Sequence, residues 1–446
     1  MKTFTRICIL AELMALAFLI NPVVTHAQNY NDRGCAWPLL LSPEGPANVQ
    51  GPDSAARYWI MPFDTTQYQT MTIKGTYPNA RYFSIVAYNT VDTSGGGYTF
   101  EVADQDHPLY DAKIAPNGGS INPFVPPGGH NGTYTVLISR TTPPGSGNTL
   151  AVSSDLVWVV LRMYVADADP SLGGQSLMGG VPLPTISVTD KNSASQELET
   201  CSPINKWLDL STFAQYLFPP EVDLVVNEGT PSSNRLWFAS PLNPPGVFWP
   251  NPDGKYMMMM PGNEYQRGRI IVIHGKAPGF PDTFDGSPIW VPSTGFRYVD
   301  LRYWAVCNMN LVSPPSLVDC ATDLTTRLIG GYYTIVISDD RQRPDWLNAN
   351  INWLPWGDQY PKFVVLRNML PAPNFHHAVQ DAWEFNKHEC TFDFTFPDIP
   401  GRDVLDTAGP CAQGVMGDYY PVALWCDKAT FRRGGFRACL KDGDYR

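Results

Sequence analysis

The sequence predicts an all-β protein: two tandem, internally duplicated β-sandwich domains of jelly-roll-like type, with a disulfide-rich C-terminal tail. Three observations carry this expectation. The two halves of the chain repeat one another, each half is a series of short alternating segments cut by Gly and Pro, and the cysteines are even in number once an export signal is set aside. Composition points the same way. Charged residues make up 16%, against roughly 25% in an ordinary soluble domain, while aromatics reach 12% beside 42 Pro and 37 Gly. Such a chain is neither a long-helix protein nor disordered. A net charge of −11 with no basic run leaves no electrostatic footprint for nucleic acid.

The chain opens on Lys2 and Arg6, an apolar run from Ile7 to Ile20, and Thr25-His26-Ala27. That is the layout of a secretory signal peptide over residues 1–27, implying export to the periplasm or the extracellular space. The run is interrupted by Glu12 and falls short of the about 20 residues needed to cross a bilayer, so no transmembrane anchor is expected in the mature chain. Loss of Cys8 leaves Cys35, Cys201, Cys307, Cys320, Cys390, Cys411, Cys426 and Cys439. An even set in an exported chain reads as disulfides. Cys307 ends a strand and Cys320 follows across a loop containing Pro314-Pro315, so these two are expected to pair. The last four crowd into the tail.

The duplication rests on matched anchors in the same order, offset by about 200 residues. Pro52-Asp53 before Arg57-Tyr58 answers Pro252-Asp253 before Lys255-Tyr256. Thr72-Ile73-Lys74-Gly75 answers Val272-Ile273-His274-Gly275, and Arg81-Tyr82-Phe83-Ser84 answers Arg302-Tyr303-Trp304-Ala305. The segment from Gly132 to Ser139 answers Gly331 to Ser338, and Val159 to Arg162 answers Val364 to Arg367. Each reads as a strand: Tyr134, Val136 and Ile138 share one face, Thr135, Leu137 and Ser139 the other. Gly95-Gly96-Gly97, Pro126-Pro127-Gly128-Gly129 and Pro143-Pro144-Gly145 mark loops. The first repeat is placed at 28–190, a connector with a short helix near 204–217 at 191–250, and the second repeat at 251–375. A helix over 375–387 leads into the tail, 376–446.

The stretch from Val157 to Val188, with Leu161-Arg162-Met163-Tyr164 leading to Gly179-Gly180-Val181-Pro182-Leu183-Pro184, resembles exported bacterial proteins of unassigned function. So do Asn251-Pro252-Asp253, Leu301 to Cys307, and Trp353-Leu354-Pro355-Trp356-Gly357. The Trp-Leu-Pro segment followed by a Leu-Arg strand is similar to a jelly-roll domain of unknown function found in envelope proteins. The resemblance covers most of the mature chain and implies no particular activity, so it assigns no catalytic residue.

The chemistry-bearing residues are sparse. No nucleophile elbow, His-Glu-x-x-His helix or phosphate-binding loop is present, and no cofactor is expected. Arg162 and Arg367 sit on equivalent strands among apolar residues, where a guanidinium needs a carboxylate or an aromatic plate, so structural pairs with Asp53 and Asp253 are expected. If residues 377–388 are helical, His377, Asp381, Glu384 and His388 form one stripe able to hold a divalent metal or exchange protons. The commoner reading is the wet side of an amphipathic helix. Asp167-Ala168-Asp169 alternates acids like a calcium loop but lacks its glycine and bidentate Glu, so it reads as a solvated loop. His107, beside Asp104 and Asp106, has the same ordinary reading. Met257 to Met260 reads as a strand buried on both faces. Tyr303, Trp304, Trp346, Trp353 and Trp356 supply aromatic plates for a groove, suited to a sugar or an apolar ligand.

These features favour an exported binding or envelope-associated module whose ligand is a carbohydrate or an apolar small molecule. The alternative is a secreted hydrolase using the His and carboxylate residues of the C-terminal half, or His107.

Overall fold

The structure, a computed structural model, describes residues 34–440 apart from 45–46, 50, 93–97, 127, 129–131, 167–176, 203, 205–224, 227–233, 243–248, 263–267, 282–298, 312–314, 358–361, 387–388, 395–397 and 400–401. The export signal, the 204–217 helix, the Asp167–Asp169 loop and His388 therefore lie outside the described residues, Ile204 excepted. Strand makes up 46% and helix 12%, so the fold is mostly β.

In the first half, β1 (Leu39–Leu41), β2 (Ala56–Asp64), β3 (Tyr68–Thr76), β4 (Ala80–Asp92), β5 (Tyr98–Val102), β6 (Thr133–Ser139), β7 (Thr149–Ala151), β8 (Leu156–Ala166), β9 (Thr185–Asp190) and β10 (Ser195–Thr200) form two sheets. One is ordered β1-β2-β8-β4-β5, with Leu109–Tyr110 also on β4; the other is ordered β10-β9-β3-β6-β7, extended beyond β10 by Cys35–Ala36. In the second half, β11 (Gly254–Met259), β12 (Arg269–Lys276), β13 (Leu301–Asn310), β14 (Ser316–Thr322), β15 (Tyr332–Ser338), β16 (Asn352–Pro355), β17 (Lys362–Pro371) and β18 (Val422–Asp427) form two more. These are ordered β11-β17-β13-β14 and β18-β12-β15-β16, with Arg235–Leu236 on the outer edge of β18.

Side-chain parity explains how the four sheets stack. Successive residues of a strand point to opposite faces. In β8, Val157, Val159, Leu161 and Met163 enter the core beneath the other sheet of their own half. Trp158, Val160 and Tyr164 enter a core that also holds Phe363, Val365 and Met369 of β17. The opposite face of β17, with Val364 and Leu366, packs against Trp304 and Ile273 within the second half. Two inner sheets thus press on one another, each with an outer sheet behind it. A strand buried on both faces has no reason to alternate apolar and polar, and Met257 to Met260 are buried as the sequence implies.

One detail is common to both outer sheets. Gly75 of β3 lies opposite Tyr134, and Gly275 of β12 lies opposite Tyr333. A Cβ at these glycines would sit 2.5 Å from Tyr134 Oη and 2.8 Å from Tyr333 Oη, so each glycine makes room for a buried ring.

The tail is integral to the second half. Its strand β18 lies between β12 and Arg235–Leu236, with Trp425 fully buried. The segments 191–250 and 376–446 are thereby joined through one sheet. Helix α1 (Val379–Phe385) is shorter than the expected 375–387, since Asp381 Oδ2 accepts the backbone N–H of Ala378 at 2.8 Å and Asn386 is already extended. It packs on α2 (Arg402–Met416), and α3 (Lys428–Cys439) follows β18. Cys390–Cys411 ties the segment after α1 to α2, and Cys426–Cys439 ties β18 to α3. Cys35–Cys201 joins the two ends of the first half, and Cys307–Cys320 links β13 to β14 at directly opposed positions. The expected pair is thus formed, and four disulfides point to an oxidising environment. Among the described residues no helix is long and apolar enough to cross a membrane.

Because β18 lies inside a sheet, a chain ending at Met416 strips β12 of a neighbour and leaves Ile271 and Ile273 uncovered. The expected outcome is loss of the cooperative thermal transition followed by near-ultraviolet circular dichroism. An unchanged transition would mean that the tail is an appendage.

Candidate functional site at the face shared by the two halves

The inner sheets carry charge on the faces they turn toward each other. Arg162 shares its face of β8 with Val160 and Tyr164 and stands opposite Tyr58 of β2 and Ser84 of β4. Arg367 stands in the same way opposite Tyr256 of β11 and Ala305 of β13. Both arginines are buried. A buried guanidinium is tolerated only where ions, hydrogen bonds or aromatic faces replace water.

Those partners cross between the halves. Asp53, fully buried in the turn before β2, receives Arg367 Nη1 at 2.7 Å and the hydroxyl of Tyr303 at 2.6 Å. Asp253, in the turn before β11, receives the hydroxyl of Tyr82 at 2.7 Å. Arg81 forms an ion pair with Asp323, and Arg302 pairs with Asp111 at 2.9 Å. Tyr164 links the groups, its hydroxyl lying 2.7 Å from that of Tyr58 and accepting from Arg367 at 3.1 Å.

Arg162 is served differently. Its Nη2 donates to the Tyr88 hydroxyl at 2.5 Å and to the Trp249 carbonyl at 2.7 Å, and its guanidinium lies over the rings of Tyr58 and Tyr88. Among the described residues no carboxylate is within ion-pair distance of it. Asp253 feels the charge of Arg162 but is held by Tyr82. Of the two arginines and two aspartates considered together from the sequence, Arg367 and Asp53 form an ion pair, across the halves, and Arg162 and Asp253 do not.

Burial sets the protonation of this layer. It pushes the phenols of Tyr82, Tyr164 and Tyr303 well up, so they remain hydrogen-bond donors. It raises the Asp253 carboxyl to about 6, the hydrogen bond from Tyr82 opposing the shift. Asp323 is raised to about 7 by burial against the pull of Arg81, and Asp111 is raised by burial against Arg302.

A cavity of about 80 Å³ opens in this layer. Its walls include Arg162, Arg367, Tyr58, Tyr256, Met309 and Trp249, and apolar surface predominates. Nη1 of Arg162 and Nε of Arg367 are buried without a hydrogen-bond partner among the described residues. A second pocket, about 440 Å³, lies on the far side of the second half. There His274 stacks between Tyr332 and Phe436, and burial lowers its pKa.

Of the aromatic groove candidates only Tyr303 lies in this layer, on Asp53. Tyr303, Trp304 and Trp356 are buried, because the strand carrying the first two is covered on both faces and Trp356 packs against Trp425. Trp346 and Trp353 are half-buried beneath α3, the first against Phe431 and Lys428, the second donating to Ser338 at 2.9 Å. The five do not line one groove.

Of the acidic and imidazole stripe, His388 lies outside the described residues, and His377 and Asp381 do not meet at a common site among them. His377 precedes α1 and stacks on Tyr419, and Asp381 caps α1 while its second oxygen lies 3.9 Å from exposed His376. Among the described residues the one cluster of metal-ligating type is Asp53 with Cys307 and Cys320, whose sulfurs are bonded to each other. His107 Nδ1 lies 2.8 Å from Asp104 on a half-exposed loop. Sequence reasoning missed the partner roles of Tyr58, Tyr82, Tyr88 and the Trp249 carbonyl; the tyrosines on the strands flanking the arginines were the available signal.

No protein-family model matches the chain, and no curated protein does. Among solved structures it is similar to an uncharacterised protein of Burkholderia cenocepacia, at 14% identity and a TM-score of 0.45, over 78% of this chain and 81% of that one. A protein of Vibrio parahaemolyticus matches at 12% identity and a TM-score of 0.34, over 72% and 85%. These matches are to uncharacterised bacterial proteins, as the resemblance implies, and bring no activity with them.

Two measurements test the layer. Asp53→Ala leaves a buried Arg367 uncompensated and is expected to cost roughly 3–5 kcal/mol in denaturant unfolding, partly recovered in Asp53→Ala/Arg367→Met. The second concerns pH. The folded pKa of Asp253 stands above its unfolded value of 3.8, so its contribution to stability is fullest below that value and is lost as pH rises to about 6. Asp253→Asn removes a penalty of roughly 3 kcal/mol at most at neutral pH. Its melting temperature should exceed that of the unmodified protein at about pH 8 and converge with it near about pH 4.

Proposed function

We propose that this protein is an exported binding module of the bacterial envelope or its surroundings, in which two β-sandwich repeats hold a small apolar molecule at their shared face. The observation that carries the reading is the largely apolar cavity between the inner sheets, walled by both halves. Ligand sites are typically concave, apolar and furnished with a few polar groups, often where two domains meet. The N-terminal segment and the four disulfides support a periplasmic or extracellular location.

The reading includes an internal duplication of jelly-roll-like units, 28–190 and 251–375, bridged by 191–250 and followed by 376–446. Parallel strand orders support it: β2-β8-β4-β5 beside β11-β17-β13-β14, and β9-β3-β6-β7 beside β18-β12-β15-β16. The paired glycine–tyrosine contacts support it too. In this scheme the shared face is the contact between repeats, and a ligand there touches both. The open pocket beside His274 and Tyr332 is the alternative place for a glycan, since an aromatic plate flanked by Asn350 and Arg437 suits a sugar ring.

Native mass spectrometry of the intact exported protein tests the main reading. A bound small molecule is expected, and Val160→Phe, which fills the cavity, should abolish it while the thermal transition persists. A bare protein that also shows no thermal shift with a library of small apolar molecules and glycans would sink the proposal.

A further inference from the structure

We infer that the cavity between the inner sheets is a carboxylate site, in which Arg162 receives the acid group of a small organic acid whose apolar body fills the space beside Met309 and Trp249. The inference rests on the reading that the shared face takes a small molecule, and names its chemical class. Three observations carry it.

The first is an imbalance. Arg367 and Arg162 hold corresponding positions in their sheets, yet only Arg367 has a carboxylate, Asp53 at 2.7 Å. Arg162 is 3% exposed and is met by a phenol, a carbonyl and two aromatic rings, all neutral. A buried cation without a counter-ion is costly, and an anion brought beside it relieves that cost. Asp253 does not fill the role, because its carboxylate accepts from Tyr82.

The second is the free donor. Arg162 Nη1 has no hydrogen-bond partner among the described residues, nor has Arg367 Nε, and both side chains line the same cavity. Arg162 Nη2 is already committed to Tyr88 and Trp249, so the donors left for a ligand are Nη1 of Arg162 and Nε of Arg367, one from each half, and an anion with two oxygens can take one from each.

The third is the wall. Tyr58, Trp249, Met258, Met309, Phe363 and Val365 leave little to hydrate an inorganic anion. A volume of about 80 Å³ admits roughly six waters, which sets the scale at a short-chain acid rather than a long lipid.

The test uses the full-length mature protein at neutral pH, with butyrate and its neutral isostere butyramide as probes and binding followed by calorimetry. Butyrate is expected to bind saturably, at least about tenfold more tightly than butyramide, the margin typical of a hydrogen bond to a charged group. Arg162→Gln should bring butyrate down to the butyramide level. Arg162→Lys, which keeps the charge but not the fork, should fall between. If Arg162→Gln fails to fold, competition on the unmodified protein decides: formate should displace butyrate more weakly than valerate does. Equal binding of butyrate and butyramide would overturn the carboxylate assignment and leave the small-molecule reading standing. No butyrate binding, butyrate binding unchanged in a folded Arg162→Gln, or equal displacement by chloride and valerate would each overturn it.

Discussion

The described residues are arranged around a buried charged layer between two sheets. Two sheets face each other across their broad surfaces, and each surface carries an arginine, tyrosines and a carboxylate among apolar side chains. Apolar burial supplies the attraction between the sheets, at roughly 25 cal/mol per Å². The polar groups decide where the sheets come to rest. Asp53 reaches Arg367 and Tyr303, Tyr82 reaches Asp253, Arg81 reaches Asp323 and Arg302 reaches Asp111. Every one of these contacts joins the first half to the second. Sliding one sheet by a residue would break them together and strand four carboxylates in the core. Buried ion pairs are poor net stabilisers, but a misregistered arrangement here is far worse than the native one.

The two faces carry different side chains around their arginines. Tyr88 stands opposite Trp158 in the first inner sheet, while Met309 stands opposite Phe363 at the matching place in the second. Tyr164 stands opposite Tyr82, while Met369 stands opposite Tyr303. The first half therefore carries two hydroxyls where the second carries thioethers. The Tyr164 hydroxyl accepts from Arg367 of the other half, and the Tyr88 hydroxyl accepts from Arg162 of its own. Methionine, flexible and polarizable, leaves an adaptable wall where a phenol would have fixed a hydrogen bond. Met309 is one of the walls of the cavity that Arg162 and Arg367 share.

Much of this was legible in the chain. The strand at Thr133 to Ser139 alternates up to Ile138 because one face is buried more deeply, whereas Tyr332 to Ser338 is buried on both faces from Ile335 onward, Val336 entering a core with Phe431. That Arg162 and Arg367 need carboxylate or aromatic partners followed from the chemistry of a guanidinium on an apolar face. Three things were not legible, each for a physical reason. Parity tells which residues share a face but not what covers it, so Tyr303 and Trp304 resembled groove residues when they lie under another sheet. Strand pairing over long separations leaves no local trace, and β18, about 150 residues beyond β12, reads as part of a disulfide-rich tail. The cross-pairing of carboxylates depends on how two sheets meet, and no spacing within one strand encodes that.

The disulfide between β13 and β14 connects this buried layer to the compartment in which the chain works. Cys307 Sγ lies 3.7 Å from Asp53 Oδ2, the carboxylate that holds Arg367 and Tyr303. As a disulfide the sulfur carries no charge and no proton, so it is a neutral neighbour for an ionised acid. As a free thiol it would compete to donate to Asp53, and as a thiolate it would repel it at close range in a medium that screens little. The same atoms that close β14 onto β13 thus keep the counter-ion of Arg367 committed to Arg367. In a reducing compartment neither condition would be maintained, whereas an oxidising one preserves both. The charged layer and an oxidising environment are in this sense one requirement, since the disulfide that completes the first persists only in the second.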